Sequence, residues 1–276
     1  MLGFMNAFRF LLLCGCIASS DKANDVASQS KQVDLELVLA VDVSGSMDAA
    51  KLQMQRHGYE KAFSDAGVMQ AVKSGPTGRI AVVYLEWAGL GYKNVLVPWT
   101  LIESPEDALN FAAALAAQPI THPPAEHGGT SISGGLLSAL GLFTKFGSTG
   151  ARRVVDLSGD GANNSGFPIV PVRDELVARG ITINGLPIAV EDNQPFNYWE
   201  SNAGSLQTYF ENCVIGGPDS FALVVSKSDQ FDSVLHRKLM AEIVASASRA
   251  GIVPATSRGS SVKNYNCSAP GEKPSH

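Results

Sequence analysis

The stretch LELVLAVDVSGSM, residues 35–47, decides the fold because its character changes within a few residues. From Leu35 to Val43 it is almost continuously apolar and rich in valine and leucine, which favours a central strand covered on both faces. The strand ends at a Ser-Gly-Ser turn, and from Asp48 the apolar residues recur at helical spacing. A buried strand, a Ser/Gly-rich turn and a helix form the opening unit of a doubly wound α/β fold.

The rest of the chain repeats this alternation. Further strands are predicted at residues 79–87, 94–102, 153–157, 181–190 and 221–225. Helices are predicted from Asp48 through Ala66 and at residues 105–117, 132–143, 171–179 and 231–243, with a short helix around 205–212. Strands that alternate with helices imply a doubly wound α/β fold, with a mostly parallel central sheet and helices on both faces.

The composition is that of a folded domain with terminal extensions. The chain has 276 residues, of which 45% are hydrophobic and 17% charged, and this suits one α/β domain of roughly 200 residues or more. The formal charge is −5 and no basic stripe interleaved with aromatic residues occurs, so we expect no nucleic-acid partner. We assign residues 34–248 to the domain and residues 249–276 to a polar C-terminal tail.

Residues 1–20 have the pattern of an export signal. Arg9 is followed by a short apolar run and then by small and polar residues at 18–20. The run is too short to span a bilayer core of ~30 Å, and no later segment reaches ~18 consecutive apolar residues, so no transmembrane helix is expected. We therefore predict a signal peptide or lipoprotein leader at residues 1–20, a linker at residues 21–33, and a periplasmic or secreted protein.

Two interpretations of this leader stay open. Leu13, Gly15 and Cys16 fit a lipobox, in which Cys16 becomes the lipidated N-terminus of the mature chain, although Cys14 at the intervening position is unusual. The other interpretation is ordinary signal cleavage, with two cysteines in the apolar run by chance. The protein is accordingly either released or anchored to the membrane by lipid at Cys16.

Cys213 and Cys267 remain if the leader is removed. In an oxidising compartment an even pair of cysteines favours a disulfide, which would attach the C-terminal tail to the domain. The sequence alone does not show that the two residues meet. Neither lies in a Cys/His pattern typical of a zinc site.

Hard oxygen donors are concentrated in three loops. These are residues 42–46 (Asp-Val-Ser-Gly-Ser), 128–131 (Gly-Gly-Thr-Ser) and 158–161 (Ser-Gly-Asp-Gly). In a doubly wound sheet, ligands bind beyond the carboxyl ends of the strands, where these loops are expected to lie. Carboxylate and hydroxyl oxygens without sulfur or imidazole suit Mg²⁺, Mn²⁺ or Ca²⁺ rather than zinc or copper.

The order of these residues resembles a von Willebrand factor A-type (vWA) domain with a metal-ion-dependent adhesion site (MIDAS). The MIDAS pattern is Asp-x-Ser-x-Ser, a distant Thr and a distant Asp, which here are Asp42, Ser44, Ser46, Thr130 and Asp160. The resemblance implies that the hydroxyls touch the metal, that the carboxylates bind it directly or through water, and that a partner's carboxylate fills an open coordination position. Gly159 departs from the pattern, because many relatives have Ser-Asp-Gly where this chain has Ser-Gly-Asp-Gly.

Three further segments resemble a bacterial family of exported, uncharacterised proteins within the vWA superfamily. They are residues 84–88 (YLEWA), 154–164 and 214–218 (VIGGP). The whole resemblance covers the domain at residues 34–248.

Each candidate ligand also has an ordinary structural interpretation. Asp42, Ser44 or Ser46 could cap the helix that follows, and Thr130 lies where another helix begins. Asp160, in a loop of glycine and asparagine, could form an Asx-turn. Their combination in one order and one topology favours the metal site over these separate roles.

Other nearby residues are weaker candidates. His122 and His127 lie in a Pro-rich loop and are expected to be solvated, although both are close in sequence to the second donor loop. We expect Trp87 to pack in the core, and residues 163–164 (Asn-Asn) to shape their loop. The aromatic residues in 196–199 could form a partner-binding surface or cover the core.

These patterns favour a metal-dependent adhesion module of the bacterial envelope that holds a protein partner through an acidic side chain. A metal-assisted hydrolase is the alternative from another class, and an assembly factor of an envelope complex is a binding role with a different partner. The sequence contains no Gly-x-Ser-x-Gly, His-Glu-x-x-His or phosphate-binding Gly-Lys-Ser/Thr motif, and no base is evident beside the hydroxyls. We therefore expect no enzyme activity.

Overall fold

At the centre of the computed structural model, which describes residues 32–146, 148, 151–190, 206–244 and 266–268, lies a five-stranded sheet. Its strands are β1 (Leu35–Asp42), β2 (Ile80–Trp87), β3 (Lys93–Ile102), β4 (Arg152–Gly159) and β5 (Ile181–Pro187), in the spatial order β3-β2-β1-β4-β5. β1 pairs in parallel with β2 and β4, β4 pairs in parallel with β5, and β3 is antiparallel to β2. Every residue of the central β1 is buried, as its apolar sequence predicts.

Helices cover both faces of this sheet. They are α1 (Ala49–Phe63), α2 (Ala66–Lys73), α3 (Pro105–Ala116), α4 (Ile132–Phe146), α5 (Ile169–Ala178), α6 (Leu206–Tyr209), which continues into a π-helical turn (Phe210–Val214), and α7 (Phe231–Ile243). α1, α2, α3 and α7 share one apolar cluster with the sheet, whereas α4, α5 and the π-helical turn share a second. The predicted doubly wound α/β fold is confirmed.

The first helix is shorter than its apolar pattern predicts. α1 ends at Phe63, and the carboxylate of Asp65 accepts a 2.7 Å hydrogen bond from the N–H of Gly67 at the start of α2. A short acidic side chain in extended backbone satisfies an N–H at a helix start. Asp65 therefore begins a second helix where the sequence pattern predicted a continuous one.

The segment predicted as a strand at residues 221–225 is irregular. Two isolated bridges join it to the β5 side of the sheet, Ala222 with Gly185 and Val225 with Ile188. The N–H of Val225 donates a 2.9 Å hydrogen bond to the carbonyl of Pro187, but a proline has no N–H with which to continue the ladder. Pro187 is also the last residue of β5, which was predicted to run to residue 190.

Several predictions fall on the part of the chain that the structure does not describe. The leader with Cys16, the linker up to residue 31, the aromatic residues in 196–199 and most of the C-terminal tail lie outside the described residues. The export, lipid-anchor and domain-limit assignments therefore stay predictions. Within the described ranges, no helix combines the length and the apolar character needed to cross a bilayer.

A disulfide joins Cys213 to Cys267, with their Cα atoms 5.6 Å apart. Cys213 is fully buried in the π-helical turn, and Cys267 packs against the apolar cluster that surrounds it. The disulfide that the sequence favoured is thus present, and it attaches a residue of the C-terminal tail to the domain.

A charged cluster is buried where α7 packs on the sheet. Lys238 of α7 pairs with Glu242 on the same helix and with Asp156 of β4, whose Oδ1 lies 2.5 Å from the lysine Nζ. Asn184 of β5 donates a 3.0 Å hydrogen bond to Glu242 Oε1. The three charged side chains have exposed fractions of 0%. The position of α7 therefore depends on charges that have no access to solvent.

This buried charge cluster predicts a pH dependence of stability. Burial, and next the carboxylate of Asp156, raises the pKa of Glu242 to about 8 from its ordinary 4.5. The folded chain then holds a proton that the unfolded chain releases, so we expect the free energy of unfolding to fall as the pH rises from about 4.5 to about 8. Replacing Glu242 with glutamine should reduce the slope of the free energy of unfolding against pH in this range, by up to about 1.4 kcal/mol per pH unit.

Chemical denaturation at a series of pH values checks this expectation. Burial also raises the pKa of Asp42, so this residue too makes the wild-type free energy of unfolding fall as the pH rises. The difference between wild type and Glu242→Gln is therefore the quantity to measure. Parallel profiles for the two proteins would show that Glu242 does not carry the proton.

Candidate metal site

Asp42 ends β1 at the carboxyl edge of the sheet, and its side chain is fully buried. Its Oδ1 accepts a 2.7 Å hydrogen bond from the N–H of Ser44, which holds the turn that follows the strand. Ser44 is also fully buried, whereas Ser46 is exposed. The turn thus directs two of the motif side chains inward and leaves the third at the surface.

The predicted ligands lie in one group, which we call the site cluster: Asp42, Ser44, Ser46, Thr130 and Asp160. The Ser44 hydroxyl lies 3.3 Å from that of Ser46 and accepts a 3.3 Å hydrogen bond from the hydroxyl of Thr130. The Ser46 hydroxyl donates a 2.5 Å hydrogen bond to Asp160 Oδ1. Three loops far apart in sequence therefore place two carboxylates and three hydroxyls together.

Glycine allows these loops to approach closely. The N–H of Gly45 donates a 2.8 Å hydrogen bond to the carbonyl of Gly128, and a Cβ at Gly45 would lie 2.9 Å from that oxygen. Gly159, where the sequence departs from the family pattern, ends β4, and a Cβ there would lie 3.2 Å from Asp42 Oδ2. Gly159 thus leaves room for the buried carboxylate, while the next residue, Asp160, reaches Ser46.

The electrostatics of the site cluster leave a carboxylate poorly compensated. Asp42 Oδ2 has no hydrogen-bond partner of adequate geometry among the described residues. Burial, and next the nearby carboxylate of Asp160, raises the pKa of Asp42 to about 7, although the N–H groups of Ser44 and Asp160 lower it. A divalent cation would relieve both the burial of this charge and the repulsion between the two acids.

The donor set fits a hard divalent cation. Carboxylate and hydroxyl oxygens are ligands that Mg²⁺, Mn²⁺ and Ca²⁺ accept. In the described part of the chain, no group of three or more His, Cys, Asp and Glu side chains could hold a metal ion. A cation at the site cluster would therefore depend on the serine and threonine hydroxyls as well as on Asp42 and Asp160.

Lys51 is a member of the site that the sequence did not indicate. Its Nζ lies 3.2 Å from Asp160 Oδ2 and 3.4 Å from the carbonyl oxygen of Ser46. Lys51 lies in the first turn of α1, so its side chain reaches back over the motif that precedes the helix. A lysine near a helix start is usually a solvated surface residue, and nothing in its spacing distinguishes this one.

Gln55 supports the site cluster from α1. Its Nε2 donates a 2.9 Å hydrogen bond to the carbonyl of Asp42, and its Oε1 accepts a 2.6 Å hydrogen bond from the Ser158 hydroxyl. Gln55 therefore joins the carboxyl ends of β1 and β4, which carry the two acids. It is buried on the same helical face as Leu52 and Tyr59, so a polar residue among apolar ones was the signal that could have found it.

The helix caps considered for the site residues are formed by other side chains. Asp48 caps α1 by accepting a 2.8 Å hydrogen bond from the N–H of Lys51. At the start of α4, the Ser131 hydroxyl accepts a 3.2 Å hydrogen bond from the N–H of Gly134. Thr130 directs its hydroxyl to the site cluster instead. Capping therefore does not account for the site residues.

The asparagines that follow Asp160 shape their loop, as predicted. Asn164 Oδ1 accepts a 2.8 Å hydrogen bond from the N–H of Thr130, and Asn163 Oδ1 accepts a 3.0 Å hydrogen bond from the N–H of Ser133. These two bonds attach the loop after β4 to the start of α4. They hold two of the donor loops of the site cluster in fixed relation.

The weaker candidates occupy other positions. Trp87 is fully buried, which confirms that it belongs to the core. His122 is exposed, and His127 is half-buried directly before the second donor loop. Glu86, which precedes Trp87 in the chain, pairs with Arg56 in the interior, at 2.7 Å. None of these four side chains is hydrogen-bonded to the site cluster within the described residues.

Comparison with solved structures defines the class of protein. The chain is similar to proximal thread matrix protein 1 from the mussel byssus, with a TM-score of 0.55 and 16% identity over 76% of this chain and 49% of that one. It is also similar to the pilus adhesin SpaC of Lactobacillus rhamnosus GG (TM-score 0.56, 15% identity, 77% and 31% covered). A von Willebrand factor type A structure from Catenulispora acidiphila matches with a TM-score of 0.51 and 16% identity, over 77% of this chain and 43% of that one.

The fold is therefore that of a vWA domain, and the chain spans less than half the length of each of these relatives. More narrowly, the chain belongs to the family described as protein of unknown function (DUF1194), whose model matches residues 32–247. No curated protein matches the sequence. The mussel protein also has a structure with a zinc-occupied MIDAS motif, similar to this chain with a TM-score of 0.51 and 17% identity over 76% of this chain and 48% of that one.

Proposed function

We propose that this protein is a divalent-metal-dependent binding module of the bacterial envelope. Mg²⁺, or Mn²⁺ or Ca²⁺ in its place, would be held by Asp42, Ser44, Ser46, Thr130 and Asp160. The observation that carries the proposal is the site cluster itself, in which loops after β1 and β4 and before α4 bring these oxygens together. A bound cation would supply Lewis acidity toward one further oxygen ligand.

The charges of the site favour an anionic partner. The two carboxylates of the site cluster would balance a divalent cation, and the ammonium of Lys51 adds one positive charge 3.2 Å from Asp160. The cation balances the two carboxylates, so the ammonium of Lys51 leaves these groups with one net positive charge, which attracts an external anion. Ser46 is exposed, which leaves the site accessible from one side. The carboxylate of a partner's Glu or Asp fits both requirements.

A binding role accounts for these residues better than hydrolysis. A metal-assisted hydrolase needs a base positioned to take a proton from water near the ion. His127, which directly precedes the second donor loop, hydrogen-bonds through Nδ1 to the carbonyl of Leu90 at 3.1 Å. Asp160 accepts a hydrogen bond from Ser46 and pairs with Lys51. Both of these candidate bases are therefore engaged in contacts with other protein groups. The envelope location follows from the leader pattern, and a role in assembling an envelope complex would use the same site with a different partner.

Metal-dependent capture from envelope extracts tests this proposal. The immobilised protein should retain partners in Mg²⁺ and release them in EDTA, and Asp160→Ala should retain none of them. Leu109→Ser, which changes an exposed side chain of α3, is the matched control and should behave as wild type. Equal capture by wild type and Asp160→Ala would contradict a metal-held partner, and metal-dependent turnover of a small substrate would favour the hydrolase.

A further inference from the structure

Two of the large apolar side chains in the described part of the chain are exposed beside the site cluster. Leu90 is 54% exposed in the loop after β2, and Phe167 is 57% exposed in the loop after β4. The carboxyl ends of these parallel strands lie at the same edge of the sheet as that of β1. A single exposed apolar side chain is ordinary on a protein surface. Leu90 and Phe167 are informative only because of where they lie relative to each other and to the site cluster.

The loops that carry the two side chains are in contact with each other, and we call Leu90 and Phe167 together the apolar patch. The N–H of Leu90 donates a 3.3 Å hydrogen bond to the Ser165 hydroxyl, and a Cβ at Gly166 would lie 3.3 Å from Leu90 Cδ1. Phe167 follows Gly166 directly in the chain. Leu90 therefore packs against the residue that precedes Phe167, although it comes from a different strand of the sheet.

The loop that carries Phe167 is hydrogen-bonded to the site cluster. The N–H groups of Asn164 and Ser165 both donate to the carbonyl of Thr130, at 2.9 Å and 3.2 Å. Thr130 in turn donates its hydroxyl hydrogen bond to Ser44. Because this loop is bonded to a predicted metal ligand, the apolar patch and the site cluster lie on neighbouring loops at one edge of the sheet.

The backbone under the apolar patch is held in place. The carbonyl of Leu90 accepts a 3.1 Å hydrogen bond from His127 Nδ1, and the N–H of Gly89 donates a 2.8 Å hydrogen bond to the His127 carbonyl. The carbonyl of Phe167 accepts a 3.0 Å hydrogen bond from Asn163 Nδ2. Apolar side chains on a fixed backbone lose little conformational entropy when a partner covers them, so such a surface is suited to binding.

We propose that the apolar patch and the site cluster together bind one polypeptide segment of a partner protein, whose acidic side chain reaches the metal while a nearby apolar side chain packs on Leu90 and Phe167. The proposal rests on the function proposed above. It commits to an acidic segment because Lys51 and the cation make the site positive, and to an apolar neighbour because the adjoining surface is apolar. A small carboxylate alone would leave the patch uncovered.

A random peptide library tests this proposal directly. Purified wild-type protein is panned against short displayed peptides in Mg²⁺, with EDTA elution. The peptides recovered should contain Glu or Asp with a large apolar residue nearby. Leu90→Ser and Phe167→Ser should bind these peptides about ten-fold or more weakly, the loss expected when a buried Leu or Phe contact is removed. Leu109→Ser, similarly exposed at 53% on α3, should bind them as wild type does.

The outcomes separate the two proposals. Acidic peptides without an apolar preference, bound equally by wild type and both patch variants, would overturn the docking surface and leave the metal site standing. No EDTA-sensitive enrichment would overturn the metal-held partner and the docking surface with it. Calorimetric Mg²⁺ binding should be unchanged in Leu90→Ser and Phe167→Ser. Mg²⁺-dependent self-association that Phe167→Ser abolishes would mean that a second copy, rather than a separate partner, covers the patch.

Discussion

Replacing Lys238 with methionine is expected to lower the free energy of unfolding by about 3–5 kcal/mol, the range found when one partner of a buried ion pair is removed. The ammonium of Lys238 lies between the acids Asp156 and Glu242, and Glu242 is largely protonated at neutral pH because its pKa is raised to about 8. Methionine keeps most of the aliphatic stem of Lys238 but leaves the carboxylate of Asp156 buried without a cation. Urea denaturation, followed by circular dichroism, measures the difference.

Lys61→Met is the matched control for Lys238. Lys61 of α1 also pairs with a residue of α7, Asp232, at 2.8 Å, but the two side chains are 64% and 39% exposed. An exposed pair of this kind contributes about 0–1 kcal/mol, so Lys61→Met should cost far less than Lys238→Met. Equal costs for the two substitutions would mean that the buried cluster does not fix α7 as described.

Asp42→Asn is expected to abolish metal binding without lowering the stability of the metal-free protein. Asp42 Oδ1 accepts from Ser44, whereas Oδ2 lacks a good partner among the described residues, and the whole side chain is buried. An amide of the same shape removes the cost of burying the charge and also removes a ligand that a divalent cation needs.

Thermal unfolding with and without metal checks the Asp42 prediction. A ligand at a hundred times its dissociation constant stabilises the folded state by about 2.7 kcal/mol, so the wild-type melting temperature should rise with Mg²⁺ or Mn²⁺. That of Asp42→Asn should not change. A melting temperature well below that of metal-free wild type would instead assign Asp42 a structural role, and a rise equal to that of wild type would remove it from the ligand set.

The central position of β1 and the meeting of the donor loops follow from features that act locally in the sequence. The apolar run from Leu35 to Val43 predicts a strand buried on both faces, and β1 is the central strand. Parallel strands present their carboxyl ends at one edge, so the loops with Ser44 and Asp160 had to meet there once the fold class was known. The donor loops could be named in advance for this reason, and the resemblance to the MIDAS pattern selected the five candidate ligands within them.

Other features depend on contacts between residues far apart in sequence, which no local pattern shows. Lys51 and Lys238 look alike in the sequence, as lysines on helices, yet one lies over the site cluster and the other is fully buried. Asp156, an acid inside an apolar strand, signalled that a buried partner was needed but did not identify it. The end of β5, in contrast, has a local signal in the sequence: Pro187 lacks the N–H that a continuing strand needs, so it could have predicted where β5 ends.

The central claim is that the site cluster binds one divalent cation, and calorimetric titration with Mg²⁺ and Mn²⁺ tests it most directly. Wild type should bind about one ion per chain, and Asp160→Ala should bind none while keeping the wild-type circular dichroism spectrum. Asp174→Ala, which changes a 59% exposed acid on α5 outside the site cluster, serves as the control and should titrate as wild type. Titrations of well-folded wild type and Asp160→Ala that cannot be told apart would contradict the metal site.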